Sequence, residues 1–523
     1  MPLVAAIDVG TASARAGVLD AAGRLLGRAE APLDIHRSAD GHAEHASEQV
    51  WAAAAAALRA ARAEAGARAE DVAGLAFDAT CSLVLRDRAG RPLGVSTTGD
   101  DSRDTILWHD HRAVAEAAEA SRLDHRVVTR SGGTLSPEMQ IPKLMWLKRR
   151  LPGAWARAGL AFDLADFLSW RATGATARSR CTLASKWGFL ADEPAGWPQD
   201  FLDAVGLDDL RARTGQPETA TAVGADLGPL TPDAARDLGL TPATRVAAGL
   251  IDAHAGALGL LGGLAPAEAG RRVALIAGTS SCLMGFGPTP RPLPGVWGPY
   301  LDVALPGLWM REAGQSASGA LLDHVLALRG LEPGRETHAR VIARVRELRA
   351  ATPDLAPRLH VLPDFHGRRG PDPDPQALGA VAGLPLDASF DALARLYWRA
   401  CVGIALGLAA VLDHLVAHGQ GADVVHVAGG HIRNPLLMEL YADATGRRIV
   451  ESAAPDATLL GTAMAAATAA GLHAGLAAAG AAMARDGAVR DPDPAAAPRI
   501  ARDRAALAAL AAAQAGLDAL AAP

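Results

Sequence analysis

VAAIDVGTASARAGVLD, residues 4–20, decides how the rest of the chain is read. Two apolar runs flank a short polar turn, the pattern of a β-hairpin. The single charge in the first run is Asp8, and Gly10, Thr11, Ser13 and Arg15 follow it. Gly, Thr and Ser in a tight turn offer backbone N–H groups and hydroxyls without bulk, which is what a phosphate needs to be cradled. One carboxylate beside such a cradle suits Mg2+, which keeps its waters and takes one or two carboxylates. A plain hairpin closed by an Asx-type turn accounts for the same residues.

The stretch has an echo about half the chain later. VALIAGTSSCLMG (273–285) again runs from apolar residues into Gly278, Thr279 and Ser280 and back, but Asp8 has Ile276 as its counterpart. The repetition predicts an α/β fold of two similar lobes with a cleft between them, only the first of which carries an acid at its phosphate-type turn.

Composition limits the function classes. At 523 residues the chain exceeds one core of the usual size, so two or more domains are expected. Half the residues are apolar, 21% are charged and the net charge is −6. That describes a soluble globular protein with neither a nucleic-acid nor a membrane partner. The alanine-rich stretch at 51–70 is interrupted by Arg and Glu at helical spacing, and no segment is read as a membrane span. The first ten residues lack the pattern of a signal peptide. Cys81, Cys181, Cys282 and Cys401 are scattered without metal-ligand spacing, so neither structural zinc nor a disulfide framework is expected, and a cytoplasmic location fits. Of 51 basic residues only Lys143, Lys148 and Lys186 are lysines. Where arginine is so favoured, a retained lysine marks either chance or a need for a compact three-donor ammonium.

The first lobe continues with a helix near 47–66, a strand at 72–77 running into FDATCS, the loop WHDHR (108–112) and a helical middle, 113–170. His109, Asp110 and His111, if on a strand, point to alternate faces and do not make a zinc site. A Thr-, Pro- and Gly-rich stretch, 212–245, leads to a boundary placed at 247/248, giving lobes 1–247 and 248–474 and an Ala-rich helical tail, 475–523, packed on the second lobe. VAAGLIDAHAGALGLLGG (246–263) reads as a strand entering a helix, and residues 423–450 read as strand, Gly-Gly turn, helix, strand. No Gly-Lys dipeptide, His-Arg-Asp or Asp-Phe-Gly occurs, which excludes the P-loop and the protein-kinase loops.

DVGTASAR at the start, GLIDAHAGALG at 249–259, IAGTSSCLM at 276–284 and VAGGHIRNPLLMELYADATGR at 427–447 resemble, in order and spacing, the phosphate-1, catalytic, phosphate-2 and adenosine motifs of the FGGY carbohydrate kinases. WHDHR, with Asp110 and Arg112, fits that family's W-x-D-x-R element, and GQSASG lies where expected. The resemblance implies two ribonuclease-H-like lobes of the actin and sugar-kinase superfamily, with ATP and Mg2+ as cofactors and a small sugar as substrate. SGGTLSPEMQIPKLMWLKRR (131–150), FDLADFLSWRATG (162–174) and SRCTLASKWGF (179–189) are similar to the pentulose-kinase branch that includes D-ribulokinases.

The resemblance further implies residue roles. Asp252 is the base that takes the sugar hydroxyl's proton. Ala79, Thr80, Cys81, Lys186, Asp252 and Glu312 contact the sugar, and Asp8 seats the Mg2+. Gly10, Thr11, Ser13, Arg15, Gly278, Thr279 and Ser280 hold the phosphates, and Gly429, Gly430 and Asn434 lie against adenosine. Read without the family, Asp252 is equally a helix cap, Lys186 and Glu312 an ordinary ion pair, and Gly429-Gly430 a tight turn. The implied reaction is D-ribulose to D-ribulose 5-phosphate. Another pentulose or pentitol, or a non-catalytic sensor on the same fold, is the alternative, and a homodimer is left open.

Overall fold

The computed structural model describes residues 2–38 and 40–521. The chain forms two compact units. The first takes the chain up to Ala269 with Gly287–Arg311 and Ala454–Arg485, and the second takes Gly270–Phe286, Glu312–Ala453 and the chain from Asp486 onward.

In the first unit the opening apolar run is the strand Leu3–Val9, with every residue from Val4 to Val9 buried. A strand apolar on both faces belongs in the middle of a covered sheet. It pairs antiparallel with Ser13–Asp20 and parallel with Val72–Ala79. Arg245–Ala247 and Asp226–Pro229 extend the sheet on one side and Leu25–Pro32 on the other. The helix Ser47–Glu64 covers one face, burying Val50, Trp51, Leu58 and a row of alanines. The helix Ala457–Ala469, buried over nearly its whole length, packs against Leu3–Val9 and Val72–Ala79. A smaller sheet contains Leu83–Asp87 and Ala158–Asp163. The latter strand interrupts the middle region expected to be helical throughout.

The second unit repeats the arrangement. Arg272–Ala277 pairs antiparallel with Ser281–Gly287 and parallel with Val424–Ala428, which continues in parallel to Arg448–Ser452. Pro435–Thr445 is the helix between those last two strands, as the sequence at 423–450 predicts. The helix Phe390–Ala417 is long and apolar enough to cross a membrane by composition, a segment the sequence reading passed over, yet two thirds of its apolar window is buried inside the protein. It packs on Pro435–Thr445 and on Arg335–Ala351, which makes it a core helix.

The expected boundary at 247/248 does not match these units. The strand Leu250–Ile251 pairs with Val72–Ala79, and the helix Asp252–Leu261 packs along Ala457–Ala469, so both belong to the first unit. Glycines make that helix contact: a Cβ on Gly259 would overlap the Ala457 carbonyl, and one on Gly461 the Ala255 carbonyl. Backbone-to-backbone approach of this kind is open only to glycine. The expected tail also divides, with residues to Arg485 in the first unit and the largely exposed helix Ala497–Ala521 in the second.

Candidate active site

The first hairpin places its charges by register. Asp8 lies opposite Arg15, and the guanidinium meets the carboxylate at 3.0 Å. The turn between them is closed by the Gly10 N–H donating to the Ser13 carbonyl, 3.0 Å. Thr11 is held from outside: the Trp108 indole N–H donates to its hydroxyl at 2.9 Å. Trp108 is itself fixed by Lys143, wholly buried, whose ammonium donates to the carbonyls of Leu107 at 2.9 Å and Trp108 at 3.3 Å. Burial pulls that ammonium down to about 8.

Parallel register sets Asp78 beside Asp8. Both carboxyls are buried, and each perturbs the other. Burial is the largest cause in each: it raises Asp8 to about 7 against the pull of Arg15, and it raises Asp78 well above the carboxylate range, with the Asp8 charge adding to the shift. Thr462, on the helix Ala457–Ala469, donates its hydroxyl to Asp78 Oδ2. Asp78 was not among the sequence candidates. Its signal was the one that exposed Asp8, an acid embedded in an apolar strand, and it stood within the quoted FDATCS.

Asp252 is the first residue of its helix, directly after the strand Leu250–Ile251, and is half-buried. The Ala253 N–H donates to its Oδ1 at 2.7 Å. The charges of Asp252 and Asp456 both act on Asp8, so the three acids form one electrostatic group. Ala79 ends the strand that carries Asp78, and Thr80 and Cys81 follow it. The Thr80 N–H donates to the Val9 carbonyl at 3.0 Å, and the Thr80 hydroxyl lies 3.2 Å from that of Ser82. Lys186, buried at the end of the helix Arg180–Lys186, sets its ammonium over the Trp297 indole, 4.3 Å from the ring centroid. That is a cation–π contact.

Asp110 and Arg112 are not on a strand, as the zinc argument assumed, but in the turn after Thr105–Ile106. They form a two-pronged ion pair at 2.8 and 2.9 Å, extended by Glu44 at 2.9 Å. His109 is held neutral, down to about 4, by burial.

In the second unit, Gly278, Thr279 and Ser280 form the turn between Arg272–Ala277 and Ser281–Gly287. Backbone braces it: the Ser318 and Ala320 N–H groups donate to the Thr279 carbonyl and the Gly319 N–H to that of Gly278, at 3.0–3.1 Å. Glu312 is buried in the strand Trp309–Gln315. Gly429, at φ +95°, ends the strand Val424–Ala428, where any Cβ would overlap the Ala277 carbonyl. Gly430 starts the single turn to Arg433. Asn434 caps the helix Pro435–Thr445, accepting from the Leu436 N–H at 3.1 Å while its amide donates to the Tyr397 hydroxyl at 3.3 Å. The candidates therefore divide. Asp8, Gly10, Thr11, Ser13, Arg15, Ala79, Thr80, Cys81, Lys186 and Asp252 lie in the first unit, and Gly278, Thr279, Ser280, Glu312, Gly429, Gly430 and Asn434 in the second.

The N-terminal domain of the FGGY family of carbohydrate kinases matches residues 3–259, and its C-terminal domain residues 273–470. The chain belongs to the FGGY carbohydrate kinase family. Among FGGY relatives, a human FGGY carbohydrate kinase domain-containing protein is 41% identical over 89% of this chain and 88% of its own length. A D-ribulokinase of Saccharomyces cerevisiae is 34% identical over 85% of this chain and 68% of its own. The crystal structure of a xylulose kinase from Rhodospirillum rubrum superposes with a TM-score of 0.78 at 25% identity, covering 98% of this chain and 99% of that one. The protein is thus a kinase with the two-domain α/β FGGY fold.

Among the described residues no group of three or more His, Cys, Asp or Glu side chains gathers to hold a metal ion. The donor set fits Mg2+ all the same, since Asp8 is a hard oxygen ligand and this ion takes most of its shell from water and phosphate.

Proposed function

We propose that this kinase transfers the γ-phosphoryl group of ATP to the terminal hydroxyl of D-ribulose, giving D-ribulose 5-phosphate and ADP. The observation that carries the reading is the retention of both acids, Asp8 at the hairpin with Gly10 and Thr11 and Asp252 at the head of its helix. A sensor that only bound the ligands would need neither. The D-ribulose assignment is supported by the yeast relative named D-ribulokinase.

Asp252 accepts the proton of the attacking hydroxyl. An ordinary carboxylate suffices, because phosphoryl transfer depends on positioning and charge neutralisation more than on a strong base. Thr80, Cys81 and Lys186 in the first unit and Glu312 in the second supply the polar groups for sugar hydroxyls and carbonyl. The turns at Gly10-Thr11-Ser13 and Gly278-Thr279-Ser280 offer N–H groups and hydroxyls to ATP phosphates, with Arg15 adding positive charge, while Gly429, Gly430 and Asn434 leave room for adenosine. Asp8 would hold Mg2+, which when bound neutralises phosphate charge. The scattered placement of the four cysteines along the sequence supports a reducing, cytoplasmic setting.

The test is ADP release with MgATP against D-ribulose, L-ribulose, D-xylulose, L-xylulose, ribitol and glycerol. D-Ribulose is expected to lead in kcat/KM by at least about tenfold, a margin within reach of pocket discrimination. Asp252→Asn should lower kcat by about 10²–10⁴ with ATP still bound. A lead for xylulose, named in the structural relative, would move the substrate assignment, and full activity in Asp252→Asn would remove the base.

A further inference from the structure

One turn of the helix that ends in Lys186 grips the segment carrying Asp252 at three points. The Ser179 hydroxyl donates to the Gly249 carbonyl at 2.7 Å. The Ile251 N–H donates to the Cys181 sulfur at 3.3 Å, and the same sulfur lies 3.1 Å from His254 Nδ1. Cys181 and His254 are both wholly buried. Ser179 is also the helix cap, accepting from the Cys181 N–H at 3.2 Å, so the three contacts come from one rigid turn. That turn is anchored from behind by Asp166, which accepts from the Ser179 N–H and from the Thr182 hydroxyl.

A sulfur receiving an N–H on one side has its S–H free for the other. Burial pushes the Cys181 thiol well above its ordinary value, so it keeps that proton. The contacts suit a relay, Ile251 N–H to sulfur and S–H to the Nδ1 lone pair, which calls for His254 in the Nε2–H tautomer. Its two ends attach one residue before Asp252 and two residues after it. Serine would reach less far, because its C–O bond is shorter than C–S, and alanine would leave the Ile251 N–H buried without an acceptor.

We propose that Cys181 is a positioning residue for phosphoryl transfer, fixing Asp252 relative to the helix of Lys186 through the Ile251 N–H and His254. The inference rests on Asp252 being the base. A displacement of a base by about 1 Å costs on the order of 10²-fold in rate, so the effect belongs in kcat, with the KM for ATP unchanged.

Two measurements test it on the full-length protein. In ¹⁵N-histidine spectra the wild type should show His254 fixed as the Nε2–H tautomer, and Cys181→Ala should release it into a mixture. This readout needs no turnover. In ADP release with MgATP and the leading pentulose, Cys181→Ala should lose at least about tenfold in kcat, Cys181→Ser should recover part of it, and Cys181→Ala/His254→Leu should be no worse than the poorer single variant. If Cys181→Ala fails to fold, His254→Leu against His254→Asn, which keeps an acceptor near the Nδ1 position, carries the same comparison. An Nδ1–H tautomer in the wild type, a kcat within twofold in Cys181→Ala even at a lowered Tm, or additive effects in the double variant would overturn the proposal. Full activity in Asp252→Asn would instead remove the base while leaving the tautomer result to judge the relay.

Discussion

The two hairpin turns look alike in sequence and are built differently. In the first, Gly10–Ser13 spans the strands, and side chains add to its backbone bonds: Asp8 against Arg15, and the Trp108 indole on the Thr11 hydroxyl. In the second, Ile276 faces Cys282 where the first has its ion pair, and the turn is fixed mainly by main-chain N–H groups of Ser318, Gly319 and Ala320, with the Ser318 hydroxyl on the Gly278 carbonyl at 3.3 Å. A backbone brace has no charge to titrate and no side chain to truncate. The acid-bearing turn carries a titratable side chain, whereas the other is held mainly through its backbone.

One break of the comparison goes through the second unit's backbone. Gly429→Ala puts a Cβ into the Ala277 carbonyl at a residue held at φ +95°. The left-handed conformation alone costs on the order of 1 kcal/mol and forced overlap about 1–3 more. ADP affinity measured by calorimetry should fall at least about tenfold, which is 1.4 kcal/mol, and chemical denaturation should show the second unit destabilised. Unchanged affinity would mean that the Gly-Gly turn is not a nucleotide surface.

Asp8→Asn tests the adjustable turn and should separate activity from stability. Kinase activity should drop by about 10²-fold or more at every Mg2+ concentration, while stability should move the other way. The Asp8 carboxyl is raised in the folded protein to about 7, chiefly by burial, from an ordinary value of 3.8. A raised group favours the fold fully below its unfolded value and loses that contribution as pH climbs through about 7, because ionisation in place is then forced. The difference in Tm, variant minus wild type, should grow from pH 4 to pH 8 and exceed about 2 °C at pH 8. A variant less stable at pH 8 would show that the Arg15 ion pair outweighs the burial it accompanies.

The same contrast explains what the sequence could show. The phosphate-type hairpins, the strand–turn–helix–strand at 423–450 and Asp252 at a strand-to-helix junction are local patterns, and the structure contains each. Asp78 is different: its importance comes from sitting beside Asp8 across a parallel register, a long-range fact that spacing does not encode. The contact of Cys181 with Ile251, next to Asp252, is of the same kind, a meeting of residues 70 positions apart. Glycines 259 and 461, unremarkable in Ala-rich sequence, likewise let two helices from distant parts of the chain touch. The strand Ala158–Asp163 was overlooked because alternation is weak in AGLAFD, which is bounded by true helices.

Trp108→Phe is the smallest perturbation and the sharpest one. It keeps an aromatic ring, smaller than the indole, and removes the N–H that holds the Thr11 hydroxyl at 2.9 Å. A neutral hydrogen bond of this kind contributes about 1 kcal/mol net, so the KM for ATP should rise by at most about fivefold with kcat nearly unchanged. In the second unit the Thr279 carbonyl is held by two main-chain donors, which no side-chain truncation removes. If Trp108→Phe lowered kcat instead, Thr11 would have to be oriented differently at the moment of transfer from its orientation in binding. The first turn would then contribute to the rate through that one hydroxyl, and Lys143, which fixes Trp108, would be the next residue to change.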